Sequence, residues 1–445
     1  MTDPAPSPDR DAPRSRPGSS APSRSSTPVR ASTLNRLPNR AWVPTLLAGL
    51  LALSFAGALL VRAGGDVSIL VHAGPPWTSA DAAPGSLTVQ DADEAFDGQF
   101  FYRLGVAPWT RDGQVAGVTN DLPALRNARW GYGALAYVAS GTDADLVSWA
   151  LLALNVAAMT AIGAIGGGMA KWSGRHAAWG LMLVLWPGFA YSLSLDTSEL
   201  VASALALGGL LALRQRRRWW AVGLLSAALL TRDTTAVIPF GIAVAGAWTL
   251  LAERYRADRS PPESRRPAPR TVRGENRGTG IMWLVAGTIP LLVFGTWQLI
   301  QRARFGALPL TSSGDNNLAA PVSGLVDQLR SLGSPSGSEE LFRLISIIAL
   351  VALLAVAAWA WRRSIAPLSE RVAWIGAVGV VLLLNAYLWS GATAFMRAST
   401  EAGLLSILLV LAARQRWADR VIALTGLGLG AMWVITAVAQ LSKLG

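Results

Sequence analysis

Acidic side chains are concentrated in residues 90–105, QDADEAFDGQFFYRLG, next to three phenylalanines, a tyrosine and an arginine. The four acids are Asp91, Asp93, Glu94 and Asp97. A carboxylate can take a proton from a hydroxyl group as a transition state forms, and carboxylate oxygens also bind Mg²⁺ or Mn²⁺. The stretch therefore contains candidates for a general base. Metal binding by Asp93 and Asp97 stays open, because such sites have no reliable spacing signature.

Two other kinds of site are not expected. The pattern Asp91-Ala92-Asp93 is typical of sites for a metal-bound nucleotide sugar, but it recurs at residues 143–145. The chain also has no Gly-rich strand–turn–helix unit that would bind a nucleotide. The chain has no cysteine, which excludes thiolate metal sites. Its only two histidines are far apart in the sequence, so a multi-histidine metal site is not expected.

Apolar and acidic residues alternate around residues 93–104 with helical periodicity. Phe96, Phe100 and Leu104 recur at four-residue intervals, and Asp93 and Asp97 do so on a different face. This spacing predicts a short amphipathic helix that lies on a membrane, with its phenylalanines toward the lipid and its acids toward a cavity. A solvated acidic face on a surface loop explains the spacing equally well.

The composition places the chain among all-α, polytopic membrane proteins. It has 445 residues, of which 52% are hydrophobic and 15% charged, and its mean hydropathy is +0.37. Soluble proteins carry about a quarter charged residues. The net charge of +12 is explained by basic loops between apolar spans, so nucleic acid is not an expected partner.

About eleven transmembrane helices are predicted. The apolar segments are 42–61, 147–170, 177–195, 199–213, 219–231, 234–252, 281–300, 343–361, 372–390, 396–413 and 420–441. We expect a disordered cytoplasmic tail over 1–40 and a transmembrane domain over 41–445. The latter contains a first outer loop at 62–145, a flexible cytoplasmic loop at 253–280 and a second outer loop at 301–342.

Charge predicts the orientation in the plasma membrane. With the N-terminus in the cytoplasm, the inner segments contain more than two thirds of the 39 Lys and Arg but only a third of the 27 Asp and Glu. This is the distribution that the positive-inside rule requires. The ionisable residues at the outer ends of the spans should then line one shared polar cavity. Its candidate residues are Asp91, Asp93, Glu94, Asp97, Arg103, Asp196, Glu199, Arg232, Asp233, Arg302, Arg304, Asp315, Asn316, Asn317, Arg397 and Glu401.

Several segments resemble a known family in their order and placement. FDGQFFYRLG (96–105) resembles the YDGQFYYRLA type of segment in the first outer loop of bacterial integral-membrane glycosyltransferases of the GT-C class. The segments that follow are similar to later stretches of that class. They are WPGFAYSLSLDTSELVASALALGGLLAL (186–213), RRRWWAVGLLSAALLTRDTTAVIPF (216–240), RARFGALPL (302–310) and FMRAST (395–400).

The resemblance implies a GT-C-like fold and transfer of a sugar from a polyprenyl-phosphate carrier to a glycan, lipid or protein acceptor on the outer face. Asp97 matches the position of the family's base best, and Asp93 and Glu94 resemble a DE pair that some members use in this loop. The candidates for binding the donor phosphate are Arg232, Arg302, Arg304 and Arg397. Arg302 and Arg304 could instead extend to the interface from a span end, and Arg397 could pair with Glu401 four residues on.

Two other functions are compatible with the same features. A transporter or lipid flippase also has many spans and intramembrane charges, although its polar residues are expected near the bilayer midplane and often in two similar halves. A non-enzymatic assembly protein could keep the fold alone, since a fold does not determine a function.

Overall fold

A computed structural model describes residues 38–91, 95–259, 270–312, 317–331, 337–414 and 417–444, with backbone only for 256–259 and 270–277. The residues outside these ranges include most of the predicted tail, part of the predicted cytoplasmic loop, Asp93, Glu94, Asp315 and Asn316. The described chain is almost entirely helical, as the composition predicts. Its one regular sheet is a hairpin of two short strands, β1 (Gln114–Val115) and β2 (Val118–Thr119), paired antiparallel.

The α-helices follow one another with short connections. In chain order they are α1 (Trp42–Arg62), α2 (Gly98–Val106), α3 (Pro123–Ala128), α4 (Trp130–Ala139), α5 (Val147–Trp172), α6 (Leu181–Val184), α7 (Gly188–Ser194), α8 (Glu199–Arg214), α9 (Arg218–Thr231), α10 (Val237–Arg259), α11 (Arg270–Phe305), α12 (Ser323–Ser331), α13 (Ser338–Trp361), α14 (Leu368–Leu383), α15 (Ala386–Trp389), α16 (Ala392–Ala398), α17 (Thr400–Leu411) and α18 (Ala418–Lys443).

Six helices in the described part of the chain are long and apolar enough to cross a membrane. They are Trp42–Arg62, Ala144–Trp172, Asp233–Tyr255, Gly278–Phe305, Ser338–Trp361 and Ala418–Lys443. Two bent pairs raise the number to eight if each pair is one span: α6 with α7, bent by 62°, and α16 with α17, bent by 59°. The protein is therefore a multi-pass membrane protein.

Three further predicted spans are helical but short. Helices α8, α9 and α14 contain 16, 14 and 16 residues, whereas a bilayer crossing needs about 20. They are not isolated at the surface, because α8 packs along α5 and α9, and α14 packs along α10 and α17. The predicted number of eleven depends on whether these three helices cross.

Close helix contacts rely on small residues, as is usual when no water drives association. Helix α5 runs directly against the short 3₁₀ turn Ala177–Gly180. A Cβ atom added to Gly180 would lie 2.1 Å from the carbonyl carbon of Gly166 on α5. Any side chain at Gly180 would therefore push this turn away from α5 and disturb the α6–α7 pair that follows.

The basic turns lie together at one end of the molecule, called the basic end below. Arg175 forms an ion pair with Asp419, and the Nη2 of Arg414 donates to the backbone oxygen of Ser173 at 2.7 Å. Nearby, the Nε of Arg214 donates to Glu370 at 2.6 Å in a buried pair. Turns that the charge pattern predicts on one side of the membrane are therefore neighbours.

The predicted amphipathic helix exists as α2, but its placement differs from the prediction. It begins at Gly98, so Asp97 precedes it, and every residue from Gly98 to Gly105 is buried. Helices α4 and α5 pack against it. The interpretation of a helix lying on a membrane with one face outward is wrong, because its aromatic residues pack into the interior instead of facing lipid.

Candidate functional site

Four chain segments meet at the end of the bundle opposite the basic end. They are the start of α2, the start of α8, the turn between α9 and α10, and the junction of α16 and α17. Their ionisable side chains contact one another and one arginine of α3. We call these residues the carboxylate–guanidinium cluster: Asp97, Arg126, Glu199, Arg232 and Arg397.

Glu199 is the centre of the cluster and is completely buried. Its Oε1 accepts a hydrogen bond from the Nε of Arg397 at 2.7 Å and a second from the Nη1 of Arg232. Its Oε2 accepts from the hydroxyl of Ser192 at 3.0 Å. A buried carboxylate is tolerated because two guanidinium groups compensate its charge. Glu199 thus fixes the positions of both arginines.

Asp97 differs from Glu199 because its side chain is still 28% exposed. Its Oδ1 accepts from the Nη1 of Arg126 at 2.8 Å, and its Oδ2 accepts from the Nη2 of Arg397 at 3.2 Å. Burial raises the pKa of Asp97, but the charges of Arg126, Arg397 and Arg129 outweigh that effect and hold the pKa below its usual value. Asp97 is therefore an ionised carboxylate that a ligand can reach.

The glycine after Asp97 explains how this carboxylate reaches the arginines. A Cβ atom on Gly98 would lie 2.4 Å from the carbonyl oxygen of Val71 and 2.7 Å from that of Leu195. Only glycine lets α2 begin this close to two other backbone segments. Asp97 occupies the N-cap position, but its side chain does not cap the helix and points to the arginines.

Arg126 was not identified from the sequence. Its Nε and Nη2 donate to the two carboxylate oxygens of Asp121 at 2.9 and 3.0 Å, and its guanidinium lies 3.8 Å from the ring centroid of Phe100. The fork on Asp121 sets the orientation that brings Nη1 to Asp97. Arg126 and Asp97 are 29 residues apart in a long loop, so no spacing rule could have paired them.

Arg232 and Arg397 are the two predicted phosphate-binding residues that belong to the cluster. Arg397 contacts both Asp97 and Glu199, and Arg232 contacts Glu199. The Nη2 of Arg232 donates to the backbone oxygen of Arg397 at 3.0 Å, and its Nε lies 3.7 Å from Glu401. The guanidinium of Arg397 lies 4.8 Å from the ring centroid of Phe96. Arg397 does not use Glu401 as its partner, although the four-residue spacing allowed that pairing.

Three other predicted arginines lie away from the cluster. Arg302 is exposed at the end of α11, and the Nη2 of Arg304 donates to the backbone oxygen of Trp109 at 2.7 Å. Arg103 is buried, and its Nη2 donates to the backbone oxygen of Asp112. Arg103 and Arg304 therefore stabilise first-loop backbone, and neither they nor Arg302 joins the arginines around Asp97 and Glu199.

The predicted acids Asp233 and Asp196 have different surroundings. Asp233 pairs with Arg129 at 3.3 Å, next to the cluster. Asp196 is completely buried, and neither of its carboxylate oxygens has a hydrogen-bond partner among the described residues. Burial raises the pKa of Asp196 well above its ordinary value, which favours the uncharged form of this side chain.

A metal site cannot be assigned from the described side chains, which include no group of three or more His, Cys, Asp or Glu residues placed to hold an ion. Each oxygen of Asp97 is occupied by a guanidinium group instead. The suggestion that Asp93 and Asp97 bind Mg²⁺ or Mn²⁺ stays a prediction, since Asp93 lies outside the described residues.

An apolar groove of about 290 Å³ shares the α16 segment with the cluster, through Met396. Its walls come from the α6–α7 break, α13, α16 and α18, and include Trp186, Leu353, Val356, Met396, Leu424 and Leu429. The ring nitrogen of Trp186 donates to the hydroxyl of Thr400 at 3.2 Å, and Met396 directly precedes Arg397. The α16–α17 junction therefore contributes to both the apolar groove and the charged cluster.

Comparison with known proteins does not assign the chain. No family model matches its sequence, and a search among curated proteins also finds no match.

Proposed function

We propose that this protein is a membrane glycosyltransferase of the GT-C type, which transfers a sugar from a polyprenyl-phosphate donor to an acceptor on the extracytoplasmic face of the plasma membrane. The observation that carries the proposal is the partly exposed carboxylate of Asp97, held between Arg126 and Arg397 beside an apolar groove. A carboxylate base, guanidinium groups and an apolar groove suit a reaction between a hydroxyl group and a lipid phosphate ester.

Asp97 is proposed as the general base. The acceptor hydroxyl oxygen attacks the anomeric carbon of the sugar, its proton passes to Asp97, and the bond to the phosphate oxygen breaks. Polyprenyl phosphate leaves with the bonding electrons. The lowered pKa makes Asp97 a weak base in the free protein. A bound phosphate would share the arginine charges, so the pKa of Asp97 should rise as the donor binds.

Arg397 and Arg232 are proposed to stabilise the phosphate as negative charge develops on it. A planar guanidinium group suits a phosphate because it can donate two parallel hydrogen bonds. Both arginines are already oriented by Glu199, so little conformational entropy is lost when the donor binds. Arg126 supports the same role on the other side of Asp97.

The apolar groove is proposed to hold the first part of the polyprenyl chain. It is lined almost completely by apolar side chains and lies among helices that are long enough to cross a membrane. A lipid tail in this groove would bring its phosphate to the α16–α17 junction, where Arg397 is located.

The predicted topology is part of this proposal. We propose that α8, α9 and α14 cross as short spans, which gives eleven crossings, and that the N-terminus is in the cytoplasm, as the distribution of basic residues predicts. Short spans are compatible with a bilayer when they end inside protein. Helix α8 begins at buried Glu199 and α9 ends next to buried Arg232, so each ends in the polar cluster and not in lipid.

The proposal is tested by the envelope glycans and glycolipids of cells that lack the gene. Mass spectrometry should show the loss of one sugar-containing species, which returns with wild-type protein and with Asp91→Asn but not with Asp97→Asn. Asp91 is the matched control because it is an exposed acid of the same loop. Full restoration by Asp97→Asn at equal expression would contradict the assignment of Asp97.

A transporter or lipid flippase is the second candidate, and one observation favours it. Helices α6–α7 and α16–α17 are broken beside the polar cluster, and broken helices often form binding sites in transporters. Reconstituted protein that moves a labelled prenyl-phosphate lipid between leaflets, without forming a glycosidic bond, would support this function over sugar transfer.

A further inference from the structure

A second cavity lies at the basic end, far from the carboxylate–guanidinium cluster. Its volume is about 720 Å³. It is lined by Arg216, Arg217, Arg218, Trp219, Trp220, Gly278, Thr279 and Met282. The cavity is at the first turn of α9, whereas Arg232 follows the last turn, and a 14-residue helix separates its ends by about 20 Å. The proposed sugar transfer does not use this cavity.

The charge of the cavity selects for an anion. Three consecutive arginines line it, and none of the described residues that line it is acidic. Arg217 and Arg218 are exposed. The first turn of α9 has no side-chain cap, so its backbone N–H groups add positive potential at the same place. The expected ligand group is one with several negatively charged oxygens, such as a phosphate.

The turn between α8 and α9 is closed by its own backbone hydrogen bonds. Arg216 has a φ of 60° at the C-terminal end of α8, the left-handed conformation that commonly ends a helix. The N–H groups of Arg216 and Arg217 donate to the backbone oxygens of Leu213 and Ala212 at 3.0 and 2.8 Å. The turn therefore gives the backbone that carries Arg217 and Arg218 a defined shape.

The apolar part of the cavity distinguishes a lipid from a soluble phosphate. Trp219 and Trp220 are 62% and 68% exposed, and Met282 adds a further apolar side chain. The apolar segment 281–300, predicted as a span, begins between the lining residues Thr279 and Met282, so the cavity lies near the end of that segment. Tryptophan rings are favoured at the boundary between lipid headgroups and acyl chains.

We infer that this cavity binds the headgroup phosphate of an anionic phospholipid, with the acyl chains along Trp219 and Trp220. The exposed side chains of Arg217 and Arg218 contact the phosphate, and the tryptophans contact the glycerol and upper acyl region. The inference does not depend on the proposed glycosyltransferase activity, because it concerns the opposite end of the molecule.

Basic residues at a span end also serve topology alone, so a matched pair is needed as a control. Arg362 and Arg363 follow α13 and are both exposed, but neither lines the cavity. The Nη1 of Arg363 donates to the backbone oxygen of Trp359 at 3.0 Å, which is a contact within its own helix end. Removing this pair changes the net charge by the same amount without changing the cavity.

The test is native mass spectrometry of the purified full-length protein with phosphatidylglycerol, phosphatidylcholine or inorganic phosphate. Wild-type protein should retain one phosphatidylglycerol that Arg217→Gln/Arg218→Gln loses, with affinity reduced on the order of tenfold. Arg362→Gln/Arg363→Gln should behave as wild type. The variant Arg217→Lys/Arg218→Lys preserves the charge that orients the protein and should retain most of the binding.

Three results would overturn the inference. Equal losses in both glutamine variants would show that retention follows net charge. Unchanged retention in Arg217→Gln/Arg218→Gln would show that the lipid binds elsewhere. Displacement of phosphatidylglycerol by millimolar inorganic phosphate would identify a site for soluble phosphate. The folding control is thermal unfolding: equal unfolding temperatures for all variants show that differences in lipid retention come from binding and not from loss of structure.

Discussion

Replacement of Glu199 by glutamine removes the negative charge that holds two arginines while keeping the shape of the side chain. In the wild-type protein its Oε1 accepts hydrogen bonds from both Arg397 and Arg232, and its Oε2 accepts from Ser192. The glutamine side chain would still offer one acceptor oxygen, but its amide nitrogen would face a donor or a guanidinium group. The positive charges of both arginines would then be only partly compensated in a buried site.

The expected loss of stability follows from these contacts. A hydrogen bond to a charged partner contributes about 1 kcal/mol more than a neutral one, and two such bonds are affected. Uncompensated charge adds to this, and breaking a buried ion pair costs about 3–5 kcal/mol. Asp97 and Glu401 remain near the arginines, so the lower end, about 3 kcal/mol, applies.

Thermal unfolding of the purified protein in detergent measures this loss. A change of about 3 kcal/mol should lower the unfolding temperature by roughly 3 °C for a chain of this size, because the entropy of unfolding is about 2.1 cal/mol/K per residue. Glu339→Gln is the matched control, because Glu339 is exposed at the start of α13, and it should shift the temperature by less than about 1 °C. The double variant Glu199→Gln/Arg397→Gln should lose less unfolding free energy than the two single variants lose in total, because the second change removes an uncompensated charge.

Identical unfolding temperatures for Glu199→Gln and Glu339→Gln would refute this reasoning. They would show that the carboxylate–guanidinium cluster does not connect α8 with the α16–α17 junction. Full additivity in the double variant would also contradict a direct pairing of Glu199 with Arg397.

Three further outcomes are expected. Gly98→Ala should prevent normal folding, seen as a low yield of monodisperse protein, because the new methyl group would lie within 3 Å of two carbonyl oxygens. Gly57→Ala is the control, because its methyl group has free space and should be tolerated. Equal yields of the two variants would contradict the close approach at Gly98. The chain has no native cysteine, so single cysteines can report on the topology. A cysteine at Thr311 should react with an impermeant thiol reagent in intact cells, and a cysteine at Lys171 should react only after lysis. The reverse result would overturn the topology. The folded-state pKa of Asp97 is lowered, so its stabilising contribution should be complete above about pH 4 and should be lost as the pH falls further. Asp97→Asn should therefore remove part of the acid-induced fall in unfolding temperature. Identical acid profiles for the variant and the wild type would contradict the ion pairs of Asp97.

The sequence predicted the parts of the site that depend on charge and order along the chain. Asp97, Glu199, Arg232 and Arg397 were expected on one side because the basic turns must lie on the other, and these side chains do contact one another. Charge distribution is a property of whole loops, so it can be read without knowing any contact.

The remaining features depend on how the long first loop folds. Arg126 reaches Asp97 because Asp121 orients it, and neither partner has a regular spacing to the other. Arg304 was expected at the site but contacts Trp109 instead, since its position on α11 directs it to another part of the loop. Residue types alone did not distinguish these two arginines.

The burial of α2 also could not be predicted from periodicity. Apolar residues at four-residue spacing are expected for a helix on a membrane and for one packed in protein. The difference lies in small residues that permit close contact. A Cβ atom on Gly105 would lie 2.5 Å from Val147, so this face of α2 packs directly against α5.

The central claim is that Asp97 activates an acceptor for transfer from a polyprenyl-phosphate sugar. The most direct measurement uses purified protein in liposomes that contain the labelled donor lipid and the acceptor identified from the envelope glycans. We predict that the wild-type protein forms the glycosidic product and that Asp97→Asn forms at least a hundredfold less, in accord with the loss of about 10²–10⁴-fold expected for a general base. Asp91→Asn should match the wild type. Product formation by Asp97→Asn at the wild-type rate, with the donor bound equally well, would contradict the account.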